Sequence, residues 1–254
     1  MPCQDSLAEW TSCIRTHLPL LSTPQAMMLA LWSLGMGLAR SCALSAVSVW
    51  LAVLLQRKDN SVRQQLRAWC YEAQAQRGAH RQAFVVEDCF MPRLRWVLGH
   101  WQGPQLALAL DATTLGLRFT VLAVSVVSRS GALPVARIIL AANQPAAWRC
   151  HWLRLLRQLR PAIPKGHTVI VLADRGLYAP WLFRRIVQLG WHPFLRINCG
   201  GTFRPDPQAT YRPLSGFVPL PGTRWRATGT AVKSPRRRLR CTLLVCWEAG
   251  DTEP

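Results

Sequence analysis

The fold class is set by the stretch QLALALDATTLGLRFTVLAVSVVSRSGALPVARIIL, residues 105–140. It contains three apolar runs rich in β-branched residues, separated by short segments of turn-forming residues. Such runs predict strands, and connections this short join antiparallel neighbours. We therefore expect three antiparallel strands, over residues 105–111, 117–130 and 133–140.

Downstream of these strands the chain alternates between helix and strand. The run AWRCHWLRLLRQLR, residues 147–160, places apolar side chains on one helical face and arginines on another. TVIVLAD, residues 168–174, is an uninterrupted apolar run of the kind buried on both faces of a parallel sheet. A helix over 180–189 and a strand over 192–197 complete the order β-β-β-α-β-α-β. This order predicts an α/β fold whose core, residues 105–198, is a ribonuclease H-like mixed sheet.

Residues 1–95 predict a basic helical region. Pro24 marks a helix start, and further helices are expected over 41–55 and 61–76, the last of them polar and arginine-bearing. The last two helices are compatible with a helix-turn-helix-like pair. The N-terminal region is therefore a candidate DNA-binding element.

The apolar run over residues 26–55 admits a membrane interpretation. It holds one charge, Arg40, in thirty residues and is long enough to span a bilayer. An arginine near the middle of a span costs about 2.5 to 3.5 kcal/mol on insertion scales, and serines surround it here. Two helices packed in a folded protein explain the run better, so we expect no stable membrane association; a membrane-anchored basic protein is the alternative.

The remaining segment, residues 199–254, predicts a β-rich region. Its composition shifts to glycine, proline and arginine. Strand-like pieces lie at 223–233 and 238–248, and SPRR between them resembles a hairpin connection. We therefore expect three domains: a helical region, a sheet core and a β-rich insertion.

The charge balance points to an anionic partner. The chain carries 31 Lys plus Arg against 12 Asp plus Glu, a net charge of +19, and its 50% hydrophobic content excludes a wholly disordered chain. An excess of this size favours nucleic acid or an anionic membrane surface. Nine scattered cysteines without a C-x-x-C pair indicate reduced thiols in the cytoplasm and no zinc site.

Several basic segments are candidate DNA contacts. Arginines recur on the predicted helix at 147–160, next to Asp174, and on the two late strands and their connection. For any one of them a solvated surface is the simpler interpretation, but phosphate contacts act collectively. The candidates are Arg154, Arg157, Arg160, Arg175, Arg224, Arg226, Lys233, Arg236, Arg237 and Arg238.

Two acidic residues stand out against this basic background. Between Asp88 and Asp206 the only acids are Asp111 and Asp174, and each ends an apolar run. A carboxylate buried at such a position is unfavourable unless it is paired or binds a cation. A ribonuclease H-like sheet puts the first strand beside the fourth, so the two carboxylates would converge. Oxygen ligands suit Mg²⁺ or Mn²⁺, which support displacement at phosphodiesters. The alternative is structural: Asp111 as a helix-capping or turn residue and Asp174 as an ion-pair partner of Arg175.

The two segments that contain these aspartates resemble a known family. LALDATTLGLRFTVLAVSVVSRSGALPVARIIL, residues 106–140, and VIVLADRGLYAPWLFRRIVQLGWHPFLRIN, residues 169–198, look like the first and second aspartate blocks of DDE transposases of the insertion-sequence-4 family of bacterial mobile elements. The resemblance covers about residues 25–254. It implies a ribonuclease H-like core, an N-terminal region that contacts insertion-sequence ends, and a β-rich insertion before a catalytic Glu. Asp111 and Asp174 then correspond to the first two metal-binding carboxylates, with Arg175–Tyr178 in the second motif.

The sequence departs from that family at the third carboxylate. The family places it on a helix with Tyr, Arg, Glu and Lys at fixed spacing, and no such segment occurs here. The late acids are Glu248, Asp251 and Glu253, which follow a predicted strand. We expect a metal-dependent DNA transposase that lacks its catalytic Glu and is inactive or incomplete, acting on insertion-sequence ends and target DNA in the bacterial nucleoid. The alternative is a non-catalytic DNA-binding fragment that acts as a regulator or is a remnant.

Overall fold

The computed structural model divides the chain into two compact units. One comprises Met1–Gly103 with Arg157–Lys165, and the other comprises Pro104–Leu156 with Gly166–Pro254. The division into three domains expected from the sequence stays a prediction. The structure describes residues 2–71, 75, 84–142, 148–198, 200–207, 210–232 and 234–249.

The first unit is built from helices. α2 opens with a Ser22 backbone N–H that donates to the Gln25 side chain at 2.9 Å, with Pro24 in its first turn, as the sequence predicted. Two helices, α1 and α5, had not been predicted individually. The helices are α1 (Pro2–His17), α2 (Thr23–Ala39), α3 (Leu44–Leu55), α4 (Asp59–Trp69) and α5 (Phe90–Gly99).

α2 and α3 pack closely because of one glycine. α2 runs through Gly35 without a break. A Cβ atom at Gly35 would lie 2.8 Å from Cγ1 of Val47 and 2.9 Å from Cγ of Leu51, both fully buried on α3. The glycine therefore lets the two helices approach each other.

α2 and α3 contain the apolar run that admitted a membrane interpretation. Across the described part of the chain, no single helix has the length and apolar character needed to cross a bilayer; α2 and α3 meet those criteria only when taken together, and they are bent by 101° at their junction. The two helices contribute Leu31, Trp32, Val47 and Leu51 to a buried cluster that α4 completes.

The second unit contains the predicted mixed sheet. Its strand order is β3-β2-β1-β4-β5, with β1–β2 and β2–β3 antiparallel and β1–β4 and β4–β5 parallel. The first strand thus lies beside the fourth, as expected. The elements are β1 (Gln105–Leu115), β2 (Phe119–Ser128), β3 (Gly131–Ala141), α6 (Trp148–Leu159, of which Arg157 onward belongs to the first unit), β4 (Thr168–Ala173), α7 (Pro180–Gln188) and β5 (His192–Leu195).

Alternation along β1 and β4 assigns their residues to two faces. Leu106, Leu108 and Leu110 are buried on β1, and Val169, Val171 and Ala173 are buried beside them on β4. The residues between them are half-buried or exposed. Because successive strand residues point to opposite faces, this pattern defines a buried leucine face and an opposite, more accessible face.

A second sheet, entirely antiparallel, follows in the same unit. Its order is β7-β6-β8-β9. Phe203 is fully buried and meets Phe217 and Trp225 edge-on, while Phe217 stacks on Trp225 at 4.2 Å between ring centroids. The predicted SPRR connection contains a short helical turn over Pro235–Arg237. The strands are β6 (Thr202–Pro205), β7 (Arg212–Pro213), β8 (Arg224–Ala231) and β9 (Leu239–Cys246).

Candidate functional site

The strand register makes the two aspartates neighbours. In the parallel pair β1–β4, Leu108 lies opposite Val171 and Leu110 opposite Ala173. Asp111 directly follows Leu110, and Asp174 directly follows Ala173. Neighbouring strands lie about 4.8 Å apart, and residues in register on parallel strands point to the same face. The two carboxylates therefore occupy adjacent positions on the more accessible face of the sheet.

Two features of the sequence interpretation were wrong. Asp111 does not end its strand, because β1 continues to Leu115 against β2, with Asp111 opposite Ala123. Only β4 stops, at Ala173. Both aspartates are exposed rather than buried, because the face they occupy lies open beyond the end of β4. The sequence had treated them as carboxylates buried at the ends of apolar runs.

Each carboxylate is oriented by one local hydrogen bond. The Thr113 hydroxyl donates to Oδ2 of Asp111. The backbone N–H of Gly176 donates to Oδ1 of Asp174 at 3.0 Å, which caps the short turn Arg175–Leu177. Within the described residues neither aspartate forms an ion pair, so the structure does not support the alternative in which Asp174 pairs with Arg175. One oxygen of each carboxylate, Oδ1 of Asp111 and Oδ2 of Asp174, accepts no hydrogen bond from any described residue.

Two arginines lie in the same row of the sheet as the aspartates. Asp111 is opposite Ala123 on β2, and Ala123 is opposite Arg137 on β3. On the other side, the Arg196 backbone N–H donates to the Ala173 carbonyl at 2.9 Å directly after β5. Both arginine side chains are exposed. Across the sheet, the row therefore reads Arg137, Ala123, Asp111, Asp174 and Arg196, so that the two carboxylates lie between two arginines.

Arg137 and Arg196 were not predicted as functional residues. Each is an isolated arginine in an apolar run, so no clustering of basic residues marks it as a candidate DNA contact. Strand parity gave no signal for them, because Val135 and Ile139 share the parity of Arg137, and Phe194 shares that of Arg196. The register that unites them with the aspartates depends on pairing between distant strands, which parity alone does not specify.

The donor set suits a hard divalent cation. No group of three or more His, Cys, Asp or Glu side chains gathers anywhere in the described ranges. Two aspartate carboxylates with available oxygens match Mg²⁺ or Mn²⁺, which is commonly held by one or two carboxylates, waters and phosphate oxygens. Asp111 and Asp174 are thus the residues that could hold such an ion, and nitrogen or sulfur ligands typical of zinc do not accompany them in the described part of the chain.

Glu248 does not supply a third carboxylate to this site. Its Oε1 accepts from Arg224 Nη2 at 3.0 Å and from the Cys246 thiol at 3.3 Å, next to the second sheet. Asp251 and Glu253 lie outside the described residues. A two-carboxylate site is therefore what the described chain presents.

The predicted DNA contacts are surface residues on separate elements. Arg224 and Arg226 alternate with the buried-side residues Trp225 and Ala227, so they share the outer face of β8. Arg240 on β9 lies opposite Thr230 on that face and pairs with Asp206 at 2.6 Å. Lys233 lies outside the described residues. The other candidates are all exposed: Arg154, Arg157, Arg160, Arg175, Arg224, Arg226, Arg236, Arg237 and Arg238.

The β8–β9 connection is fastened to the helix that follows Asp174. Arg184 on α7 donates through Nη2 to the backbone carbonyls of Arg236, at 2.8 Å, and Arg238, at 3.4 Å. Tyr178 lies near Cys241 of β9, and burial, with a further contribution from Cys241, raises the pKa of the Tyr178 hydroxyl above its ordinary value. The second sheet therefore contacts the segment that begins at Asp174. Arg184 had not been predicted to have this role.

Comparisons with known proteins leave the family unassigned. No protein-family model and no curated protein matches the sequence. Among solved structures, the crystal structure of the Mos1 strand transfer complex is similar with a TM-score of 0.25 and 13% sequence identity, over 65% of this chain and 56% of that chain. The matched region thus spans little more than half of that chain. A likeness at this TM-score is too low to identify a shared fold.

Proposed function

We propose that this chain is a DNA transposase of the DDE type, of the insertion-sequence-4 family, with a ribonuclease H-like core. One observation supports the proposal above all others. The Leu110–Ala173 pairing of β1 and β4 makes Asp111 and Asp174 neighbours on one sheet face, each with a carboxylate oxygen available. Adjacent carboxylates of this kind are the metal ligands of phosphodiester-cleaving sites.

The strand order supports the ribonuclease H-like part of the proposal. Three consecutive antiparallel strands lead through α6 to a strand that is parallel to the first, and α7 leads to a further parallel strand. A layout of this kind carries its functional groups at the carboxyl ends of the parallel strands. Asp174 directly follows β4, and Asp111 lies beside it.

The chemistry requires a divalent ion together with groups that hold DNA. Asp111 and Asp174 would hold Mg²⁺ or Mn²⁺, and a bound ion of this type polarises a phosphoryl oxygen and favours a reactive water or hydroxyl. Arg137 and Arg196 lie in the same row and are suited to bind the phosphates on either side of the cut bond. The exposed arginines of β8 and of the β8–β9 connection would contact the DNA backbone more widely.

The proposed activity is a weak one, carried out on DNA in the bacterial cytoplasm, with insertion-sequence ends and target DNA as partners. Two carboxylates hold a divalent ion less tightly than three. A non-catalytic DNA-binding role, in which the chain occupies insertion-sequence ends and regulates an intact transposase, is the second candidate. The observation in its favour is that Asp206 and Glu248, the described acids that follow the pair along the chain, are already engaged by arginines of the second sheet.

A cleavage assay separates the two candidates. The full chain is incubated with labelled duplex DNA in Mg²⁺ or Mn²⁺, alongside Asp111→Asn and Asp174→Asn. Asp59→Asn, an exposed aspartate of α4 in the first unit, is the matched control. We expect slow nicking by the wild type and the control, and loss of nicking in both site variants.

The outcome against catalysis is equally clear. Nicking that persists in Asp111→Asn and Asp174→Asn would exclude these residues as the catalytic pair. Salt-sensitive DNA binding by every variant, without nicking by any, would establish the binding role instead.

A further inference from the structure

The accessible face of the first sheet carries exposed apolar side chains next to the aspartates. Leu115 is 53% exposed, Phe119 41% and Ile139 58%, and Leu117 in the β1–β2 turn is 94% exposed. These four residues, the apolar patch, come from β1, β2, β3 and the turn. Large apolar side chains grouped at this exposure mark an interaction site more often than solvated surface.

The register places the apolar patch on the same face as the two carboxylates. Leu115 lies opposite Phe119, and Thr113 lies opposite Val121, which is opposite Ile139. Asp111, Thr113 and Leu115 alternate along β1 and so share one face. Leu115 is four residues beyond Asp111 on β1. Four residues of strand span about 13 Å.

The charges around the apolar patch are positive. The Arg118 guanidinium lies 5.3 Å from the centroid of the Phe119 ring, and Arg137 lies two residues from Ile139 on the same strand face. The sequence holds no acidic residue between Asp111 and Asp174. An apolar surface with an aromatic ring and flanking arginines is the composition of surfaces that stack bases and hold the phosphates between them.

We infer that the apolar patch binds unpaired bases of the DNA strand whose backbone is held at the two-aspartate site. Paired bases present their faces to one another, so a duplex is contacted mainly through phosphates, and exposed Phe119 and Leu117 would find no partner there. Unpaired bases stack on aromatic rings whatever their sequence. The span of about 13 Å from Asp111 corresponds to about four stacked nucleotides at a rise of 3.4 Å.

A second copy of the chain is the competing occupant. A two-fold interface would bring the apolar patch against itself, and would therefore place Arg118 and Arg137 of one copy near those of the other. With a net charge of +19 per chain, such an arrangement is opposed by repulsion. Charge complementarity thus favours a polyanion.

The inference rests on the proposed function, and its test is designed to be independent of catalysis. The full chain is titrated, with EDTA in place of any divalent ion, into a duplex that carries an unpaired tail containing 2-aminopurine, whose fluorescence falls when the base stacks. The fully paired duplex is the reference DNA. The variants are Phe119→Ala, Phe119→Trp, which keeps a stacking ring, and Leu220→Ala, an exposed leucine away from the strands of the first sheet.

We expect wild type, Phe119→Trp and Leu220→Ala to quench the probe and to prefer the tailed duplex. Phe119→Ala should bind the tail about 5- to 140-fold more weakly, as alanine substitution does at base–aromatic stacks, with unchanged affinity for the paired duplex. An unchanged circular dichroism spectrum shows that the variant is folded. If no variant cleaves DNA but Phe119→Ala still loses affinity for the tail, the proposed catalysis is wrong and the base-binding inference holds. The two proposals can therefore fail independently.

Two results would overturn the inference. One is equal quenching and equal tail affinity for Phe119→Ala and wild type. The other is a wild-type dimer in sedimentation velocity that Phe119→Ala converts to monomer, with no effect on the tail, since the apolar patch would then be an interface between copies.

Discussion

The two sheets of the second unit hold their carboxylates in opposite ways. In the four-stranded sheet, Asp206 pairs with Arg240 at 2.6 Å and Glu248 pairs with Arg224 at 3.0 Å. In the five-stranded sheet, Asp111 accepts from the Thr113 hydroxyl and Asp174 from the Gly176 N–H, and neither is paired with a cation among the described residues. The first arrangement neutralises charge within the chain, and the second concentrates it.

The contrast matters because arginine is abundant in this chain. With 31 Lys plus Arg against 12 Asp plus Glu, a surface carboxylate readily finds a guanidinium. Two adjacent carboxylates repel each other, and that repulsion favours a cation shared by both. The arginines in the row flank the pair, Arg137 on the outer strand β3 and Arg196 directly after the outer strand β5. The five-stranded sheet thus leaves two adjacent carboxylates without a cation from the described residues, whereas the four-stranded sheet pairs its carboxylates with arginines.

The largest effect, on the free energy of unfolding, is expected from removing a core side chain, and it should be of similar size in the two sheets. Phe203→Ala in the four-stranded sheet and Leu108→Ala in the five-stranded sheet each remove a fully buried side chain. We expect each to lower the free energy of unfolding by about 2 to 5 kcal/mol, measured by urea denaturation. Leu244→Ala, at an exposed position of β9, is the control and should change it by less than about 0.5 kcal/mol.

A shift of similar size in Leu244→Ala would contradict the assignment of faces in the four-stranded sheet. A negligible effect of Leu108→Ala on the free energy of unfolding would contradict the burial of the leucine face of β1.

Much of the five-stranded sheet could be predicted from the sequence because its signals are local. Apolar runs and short turns identified β1, β2 and β3, and the uninterrupted run TVIVLA identified β4. The order of elements then placed β1 beside β4. The four-stranded sheet was harder, since β7 is only the pair Arg212–Pro213 and β6 is four residues long. Strands this short carry almost no periodicity.

The site could be predicted only in part, for a related reason. Scarcity of acids identified Asp111 and Asp174, but the exposure of both depends on where β4 stops relative to β1, which is a property of pairing. Arg137 and Arg196 are brought into the row of the aspartates by pairing between strands that are distant in sequence, and Arg184 donates to a backbone carbonyl. Such relations appear only when the chain is folded.

A second, smaller effect tests the hydrogen bond that orients Asp111. Thr113→Val removes the hydroxyl that donates to Asp111, whereas Thr114→Val removes a hydroxyl on the opposite face of the same strand. Groups that orient a metal ligand typically contribute about 10- to 100-fold to affinity. We expect Thr113→Val to weaken Mn²⁺ binding by about tenfold, near the lower end of that range, and Thr114→Val to leave it unchanged. Equal weakening in both variants would show that the loss comes from the strand and not from the hydrogen bond.

The smallest effect distinguishes a paired arginine from an unpaired one on the outer face of β8. Arg224 is engaged by Glu248, and Arg226, two residues on, forms no ion pair within the described residues. Loss of one phosphate contact lowers the slope of log affinity against log salt by about 0.9. We expect Arg226→Gln to lower the slope by close to this amount and Arg224→Gln by less, measured by fluorescence anisotropy from low to moderate salt. Equal slopes for wild type and Arg226→Gln would remove this face from the DNA contacts.

The central claim is that Asp111 and Asp174 bind one divalent ion together. Titration of the full chain with Mn²⁺, followed by the electron paramagnetic resonance signal of the free ion, tests it directly. We predict binding to one site in wild type and in Asp59→Asn, and loss of that site in Asp111→Asn and in Asp174→Asn alike. Undiminished Mn²⁺ binding in either site variant would contradict the claim, because each carboxylate would then be dispensable to the ion.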